Sequence, residues 1–130
     1  MLLDASAVLA FLQEEPGHEA VQQALHAQAC LVSAANQAEV VAKLLDRGIA
    51  PEDVQAILAD LGYAVVDVTA EDGLQAGFLR AATRHHGLSL GDRLCLSTAA
   101  RLGTPVLTAD RQWLTLGLPL DIRGLRPDTH

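Results

Sequence analysis

Aromatic residues are nearly missing from this chain: one Trp, one Tyr and two Phe stand among 130 residues. A core must therefore come from Leu, Val and Ala, and that composition suits helices packed on a sheet. Cysteine is as scarce. Cys30 and Cys95 lack any Cys-x-x-Cys spacing and stand in apolar runs, which fits buried reduced thiols better than a disulfide or a metal centre. No uncharged apolar stretch approaches the ~20 residues that a membrane span needs. The opening Met1-Leu2-Leu3-Asp4 has no basic leader character, so a cytoplasmic setting is expected. There is no internal repeat, low-complexity run or Pro/Gly/Ser linker, and residues 1–130 are expected to form one domain, burying roughly two thirds of the unfolded surface.

Basic charge is lacking too. Nine Lys and Arg face sixteen Asp and Glu, for a net charge of −7. A nucleic-acid binder usually presents a basic surface. Either the partner is not nucleic acid, or the acidity is gathered into a site that cations neutralise. Where the acids stand decides between these.

What is present is an alternation of short apolar strands and helical segments, the pattern of a parallel α/β sheet. Leu2 and Leu3 read as a minimal first strand, followed by helices over Ser6–Leu12 and Glu19–Gln28. Cys30–Val32 reads as a second strand. Ser33 is placed to cap a helix that reaches Asp46 and stops at Gly48. Pro51–Leu61 reads as a helix with Pro in its first turn and Gly62 beyond its end. The β-branched run Ala64–Val68 is a strand, and Thr69 opens a long helix to His86. Asp92–Leu102 is a helix ended by Gly103, Pro105–Leu107 a fourth strand, and Asp121–Arg123 an edge strand before a polar tail.

Acids recur where these elements begin or end. Asp4 follows the first strand and Asp110 the fourth, and in an open parallel sheet ligands bind beyond the carboxyl ends of the strands. Asp92 begins a helix after a Gly turn. Taken singly, Asp4 and Asp110 fit helix N-caps, and Ser89-Leu90-Gly91-Asp92 fits a capping box. Glu39 lies too deep in its helix to be a cap; it shares a polar stripe with Asn36 and Lys43, and an i+4 pair with Lys43 would explain it without a site. The immediate neighbours, however, are small or apolar: Leu3 and Ala5, Ala38 and Val40, Thr108 and Ala109. Ser6, Asn36 and Thr108 stand close by and can hold carboxylates or waters.

Four blocks carrying these acids resemble the PIN-domain family, most closely the VapC-type toxins of toxin–antitoxin pairs. They are Leu2-Leu3-Asp4-Ala5-Ser6-Ala7, Ser33-Ala34-Ala35-Asn36-Gln37-Ala38-Glu39, the stretch from His86 to Leu96, and the stretch from Gly103 to Trp113. The resemblance spans nearly the whole chain. It implies a three-layer, Rossmann-like α/β fold with a central parallel sheet of four or five strands. It further implies a site of Asp4, Glu39, Asp92 and Asp110 holding one or two Mg²⁺ or Mn²⁺ ions, cleavage of RNA, a homodimer, and inhibition by an antitoxin. Gln112 and Trp113 stand where some relatives carry a further acid, and Arg93 where a small residue is common.

Such a site suits phosphodiester cleavage. Hard divalent ions take oxygen ligands and keep several waters, whereas four carboxylates without a cation repel one another. Two divalent ions would also bring −7 to −3 and gather positive charge where phosphate must sit. Lys43, Arg47, Arg80, Arg84, Arg93 and Arg111 could then grip an RNA backbone, although each also fits a solvated helix face. Trp113 could stack on a base or pack at the sheet edge. His85 and His86 fit a helix C-terminus better than a catalytic base. An antitoxin is expected to plug the acidic cleft with an Arg and to rest on apolar surface around Val8, Leu9 and Leu12. Two rival functions remain at this point. A Mg²⁺-dependent phosphotransfer or phosphatase domain would need an Asp-x-Asp motif and a late Lys, and Lys43 is the chain's one lysine. The other rival is a non-catalytic RNA- or protein-binding module on the same fold.

Overall fold

In the computed structural model, which describes residues 1–126, the chain starts in the middle of its own sheet. Strand β1 (Leu2–Leu3) lies between β2 (Leu31–Ser33) and β4 (Val106–Thr108); β3 (Ala64–Val66) and β5 (Ile122–Gly124) form the edges. All four pairings are parallel, in the order β3-β2-β1-β4-β5. Parallel strands are normally covered on both faces, and the central β1 and β4 are; the edge strand β3 stays partly open, with Val65 45% exposed. Leu3, Val32 and Leu107 point into one core with helices α1 (Ala5–Leu12), α2 (His18–Ala27), α3 (Ala34–Asp46) and α4 (Pro51–Leu61). Leu2 and Val106, one residue along, point into a second core with α5 (Ala70–Thr83) and α6 (Leu90–Leu102). The strand period of two thus makes both layers from pairs of adjacent residues. The expected three-layer α/β architecture is the one found, with five strands.

Several boundaries move. α1 starts at Ala5, because Asp4 is its N-cap and accepts from the Ala7 amide at 2.8 Å. α5 ends at Thr83; Arg84–His86 tighten into a 3₁₀ turn, closed by Gly87 at φ 64°. α6 starts two residues before Asp92, with Ser89 as its cap. A 3₁₀ turn over Arg111–Thr115 follows β4 and drives Trp113 into the second core, where it is 1 % exposed. Trp113 therefore offers no face to a base, and the packing alternative holds. Val8 is likewise a core residue, with Leu9 and Leu12 half-buried against the same core, so the apolar seat expected there is not an open surface. Both cysteines are buried free thiols. Residues 127–130 of the expected polar tail lie outside the described residues. Among the described residues, no helix is long and apolar enough to cross a membrane.

The α5–α6 hairpin has its own lock. Asp72, 1 % exposed, accepts from Arg101 Nε at 2.8 Å and Nη2 at 3.0 Å, and from the Thr69 amide at 3.0 Å. Its backbone carbonyl accepts from Ser97 Oγ at 2.8 Å. The Arg101 guanidinium holds the Asp72 carboxyl below the usual carboxylate range. Removing the acid with Asp72→Ala is expected to cost about 2 kcal/mol, the scale of hydrogen bonds to a charged group. Thermal unfolding should show a fall in Tm of roughly 5 °C; an unchanged Tm would contradict the lock.

Candidate active site

The chain leaves β1 towards β2 and β3 on one side, then crosses back to place β4 on the other. That reversal opens a crevice beyond the carboxyl ends of β1 and β4, the place where open parallel sheets bind ligands. Asp4 follows β1, and Thr108, Ala109 and Asp110 close β4. The two strand ends are stitched by hydroxyls. Thr108 Oγ1 donates to Asp4 Oδ2 at 2.7 Å, and Ser6 Oγ lies 2.8 Å from both Asp4 oxygens. Ser6 Oγ in turn accepts from the Ala109 amide at 3.0 Å, and Thr108 Oγ1 from the Asp110 amide at 3.0 Å.

Asp4 is 2 % exposed, and every hydrogen bond it accepts comes from a neutral donor. Burial drives its pKa up to about 7, against the hydrogen bonds from Thr108, Ala7 and Ser6; the negative charge of Asp92 pushes the same way as burial. Among the described residues, no Arg or Lys is seen to offset that charge. Cys95, fully buried on α6, reports the same crowding. Its thiol is held well above the ordinary range, first by burial and then by the charges of Asp4, Asp92 and Glu39.

The remaining acids come from three other segments. Asp92 sits in the first turn of α6 and completes a capping box: its Oδ2 accepts from the Ser89 amide at 2.9 Å, and its amide donates to Ser89 Oγ at 3.1 Å. The cap orients Asp92 and engages one oxygen. Glu39, on α3, lies against the Gly91 backbone, where a Cβ would overlap the whole carboxylate. Asn36 Nδ2 donates to Glu39 Oε1 at 2.7 Å. Asp110 caps the 3₁₀ turn through a 3.0 Å bond from the Gln112 amide and is half-buried. Asp4 and Asp110 are thus N-caps and Asp92 completes a capping box, as each reads singly, whereas Glu39 caps nothing. Gly91 is the residue that sequence reasoning passed over. Its φ is not positive, so a glycine in the first turn of a helix asked for a reason of space.

The basic residues fare differently. Lys43, Arg47, Arg80, Arg84 and Arg111 are exposed. Arg93 is half-buried and donates from Nη1 to the Ala76 carbonyl at 3.0 Å, so it ties α6 to α5 rather than standing as a phosphate grip. His85 is exposed and His86 half-buried.

The donor chemistry fits a hard divalent cation: every candidate ligand is a carboxylate oxygen, and the most buried of them is left without a positive partner. Among the described residues, no three Asp, Glu, His or Cys side chains are placed to hold a metal ion by themselves. An ion here would keep waters in its shell, as Mg²⁺ commonly does.

Solved structures share the fold over almost the full chain. A chain of a toxin–antitoxin complex from Klebsiella pneumoniae matches with TM-score 0.74 at 18% identity, covering 96% of this chain and 97% of its own. VapBC2 from Rickettsia felis, bound to a DNA fragment from its promoter, matches with TM-score 0.72 at 16% identity, covering 95% and 96%. The sarcin-ricin loop cleaving toxin VapC20 of Mycobacterium tuberculosis matches with TM-score 0.72 at 18% identity, covering 94% and 98%. At such identities these establish the fold alone. No curated protein matches the sequence significantly. The family model of the PIN domain matches residues 1–117, nine tenths of the chain, in a stretch that carries all four acids. The chain belongs to the PIN-domain family.

Proposed function

We propose that the chain is a Mg²⁺- or Mn²⁺-dependent endoribonuclease and acts as the toxin of a toxin–antitoxin pair. One observation carries the reading: at the crevice between β1 and β4, Asp4 is buried among neutral donors, with its pKa pushed up to about 7 by burial and, in smaller part, by the charge of Asp92. A fold does not keep an unanswered acid in its interior for stability.

Asp4, Asp92, Asp110 and Glu39 would hold the ion between them, partly through the waters of its shell, since no three of the described side chains are placed to hold it unaided. When bound, a divalent cation supplies positive charge that activates water and offsets charge building on the phosphoryl oxygens. Glu39 orients the attacking water and, at Oε2, can take its proton; Oε1 already accepts from Asn36. Ser6 and Thr108 keep the Asp4 oxygens turned towards the crevice and exclude other rotamers. Lys43, Arg47, Arg80 and Arg84 are exposed and could steer RNA towards an otherwise acidic surface, with Arg111 a further exposed cation beside Asp110.

The partner reading rests on the company the fold keeps, since the similar structures include a toxin–antitoxin complex and a DNA-bound VapBC assembly. An antitoxin would enter the crevice with an Arg, whose fork pairs with carboxylates where the cation otherwise sits. The chain would act in the cytoplasm as a homodimer. Leu74 and Phe78, one turn apart on α5 and 55% and 67% exposed, are apolar surface for such a contact.

The test is direct. Purified full chain should cleave RNA in Mg²⁺ or Mn²⁺, lose that activity in EDTA, and lose it again in Asp92→Asn. Cleavage by Asp92→Asn at the wild-type rate would remove Asp92 from the site.

A further inference from the structure

We propose that Asn36 is a positioning residue, which together with Gly91 fixes the Glu39 carboxylate beside Asp92 for cation binding. The proposal rests on the divalent-ion reading of the site.

Asn36 and Glu39 are three residues apart on α3 and so share one face of the helix. Asn36 is 1 % exposed, and its backbone amide is pinned to the Ser33 cap at 3.1 Å. Its Nδ2 donates twice: to Glu39 Oε1 at 2.7 Å and to the Gly91 carbonyl of α6 at 3.3 Å. Both neighbours are acceptors, so the NH₂ group must face them, and the amide has one orientation. Glu39 is thereby clamped from two sides, by the Asn36 donor and by the Gly91 backbone, which it approaches so closely that any side chain there would displace it. Gly91 immediately precedes Asp92, so the clamp delivers Glu39 to the first turn of α6 where Asp92 stands.

Two features are costly unless the clamp has a use. Gly91 takes a helical position without a positive φ, where Ala would be the better helix former. Asn36 Oδ1 is buried with no hydrogen-bond partner among the described residues, whereas the interior normally satisfies such an atom. Packing alone does not ask for a stranded oxygen, whereas aiming a carboxylate asks for the amide that brings it.

The experiment uses the full chain and Mn²⁺ as probe. Mn²⁺ affinity is read by electron paramagnetic resonance, and the Asn36 side-chain amide by ¹⁵N NMR in EDTA, with thermal unfolding as the check on folding. Asn36→Ala and Gly91→Ala should each weaken Mn²⁺ binding about tenfold or more. Gly91→Ala should do so while melting no lower than wild type, since the flexible Glu39 end gives way rather than the backbone. In a Glu39→Ala background, Asn36→Ala should change affinity less than about twofold, because its effect passes through Glu39. The Asn36 amide resonances should move on Glu39→Ala. Wild-type affinity in Asn36→Ala, or an equal loss in the Glu39→Ala background, would overturn the proposal. A wild-type chain that binds no Mn²⁺ while the amide still moves sinks the divalent-ion reading but not the clamp; an amide that stays put sinks the clamp whatever the ion does.

Discussion

Asp4→Asn will remove RNA cleavage and, in the metal-free protein, raise the melting temperature. Both effects follow from one environment. Asp4 is closed off from solvent, takes hydrogen bonds from Ala7, Ser6 and Thr108, and faces the charge of Asp92 with no basic partner among the described residues. At neutral pH the fold therefore carries a carboxylate whose charged form it disfavours. A pKa moved from 3.8 to about 7 sets an upper limit of about 4 kcal/mol on that cost once the pH exceeds 7. Asn keeps the shape and can still accept from Ala7, but its NH₂ meets donors, which returns part of the gain. A net stabilisation of about 1–2 kcal/mol is expected at pH 8 in EDTA, or roughly 3–5 °C in Tm. Cleavage should fall on the order of 10³-fold, which corresponds to about 4 kcal/mol of transition-state stabilisation. A variant that melts lower than wild type in EDTA would contradict the electrostatic account of Asp4.

The pH dependence of stability is the second large effect. Because folded Asp4 binds its proton more tightly than the unfolded chain does, raising the pH from about 4 to about 7 works against the fold. Above about 7 the loss is complete and this contribution is flat. Asp72 acts in the opposite sense: its carboxyl is held low by Arg101, so its stabilisation is present above the unfolded value and lost as the pH falls below it. The metal-free chain should therefore be most stable on the mildly acidic side, around pH 4–5, and lose up to about 4 kcal/mol on the way to pH 8. In Asp4→Asn that slope should vanish while the acid limb remains. With Mn²⁺ present the slope should shrink or invert, since ion and proton compete for the same oxygens. Melting curves in EDTA at intervals from pH 4 to 8, wild type against Asp4→Asn, read this out. Parallel curves would remove Asp4 as the source.

Much of this molecule can be read along the chain, because its signals are local. Two apolar residues before Asp4 suffice to read a first strand, though not its central place in the sheet, and Pro105-Val106-Leu107 announces β4. Asp4, Asp92 and Asp110 stand out because each ends or opens an element, and Glu39 because it lies mid-helix beside small and apolar neighbours. What could not be read is what the crossovers bring together. Asn36 meets Gly91 across 55 residues, and Arg101 reaches Asp72 across 29; neither spacing carries a period. Arg93 reads from the sequence as a phosphate grip or a solvated helix residue alike; successive helix positions point about 100° apart, so standing next to Asp92 does not aim it the same way, and it turns to α5. Trp113 and Val8 were misplaced or left open for a related reason. Burial depends on which face the layer above covers, and for a short 3₁₀ turn or an all-apolar helix face, pattern alone does not say.

The claim on which the rest depends is that the crevice between β1 and β4 takes a divalent ion. It is tested most directly by diffraction from crystals grown with Mn²⁺, with data collected for the anomalous signal of manganese. The account predicts an anomalous peak in contact with the carboxylates of Asp4 and Asp92, absent from crystals of Asp4→Asn. A peak elsewhere, or no peak in a preparation that cleaves RNA in Mn²⁺, would contradict it.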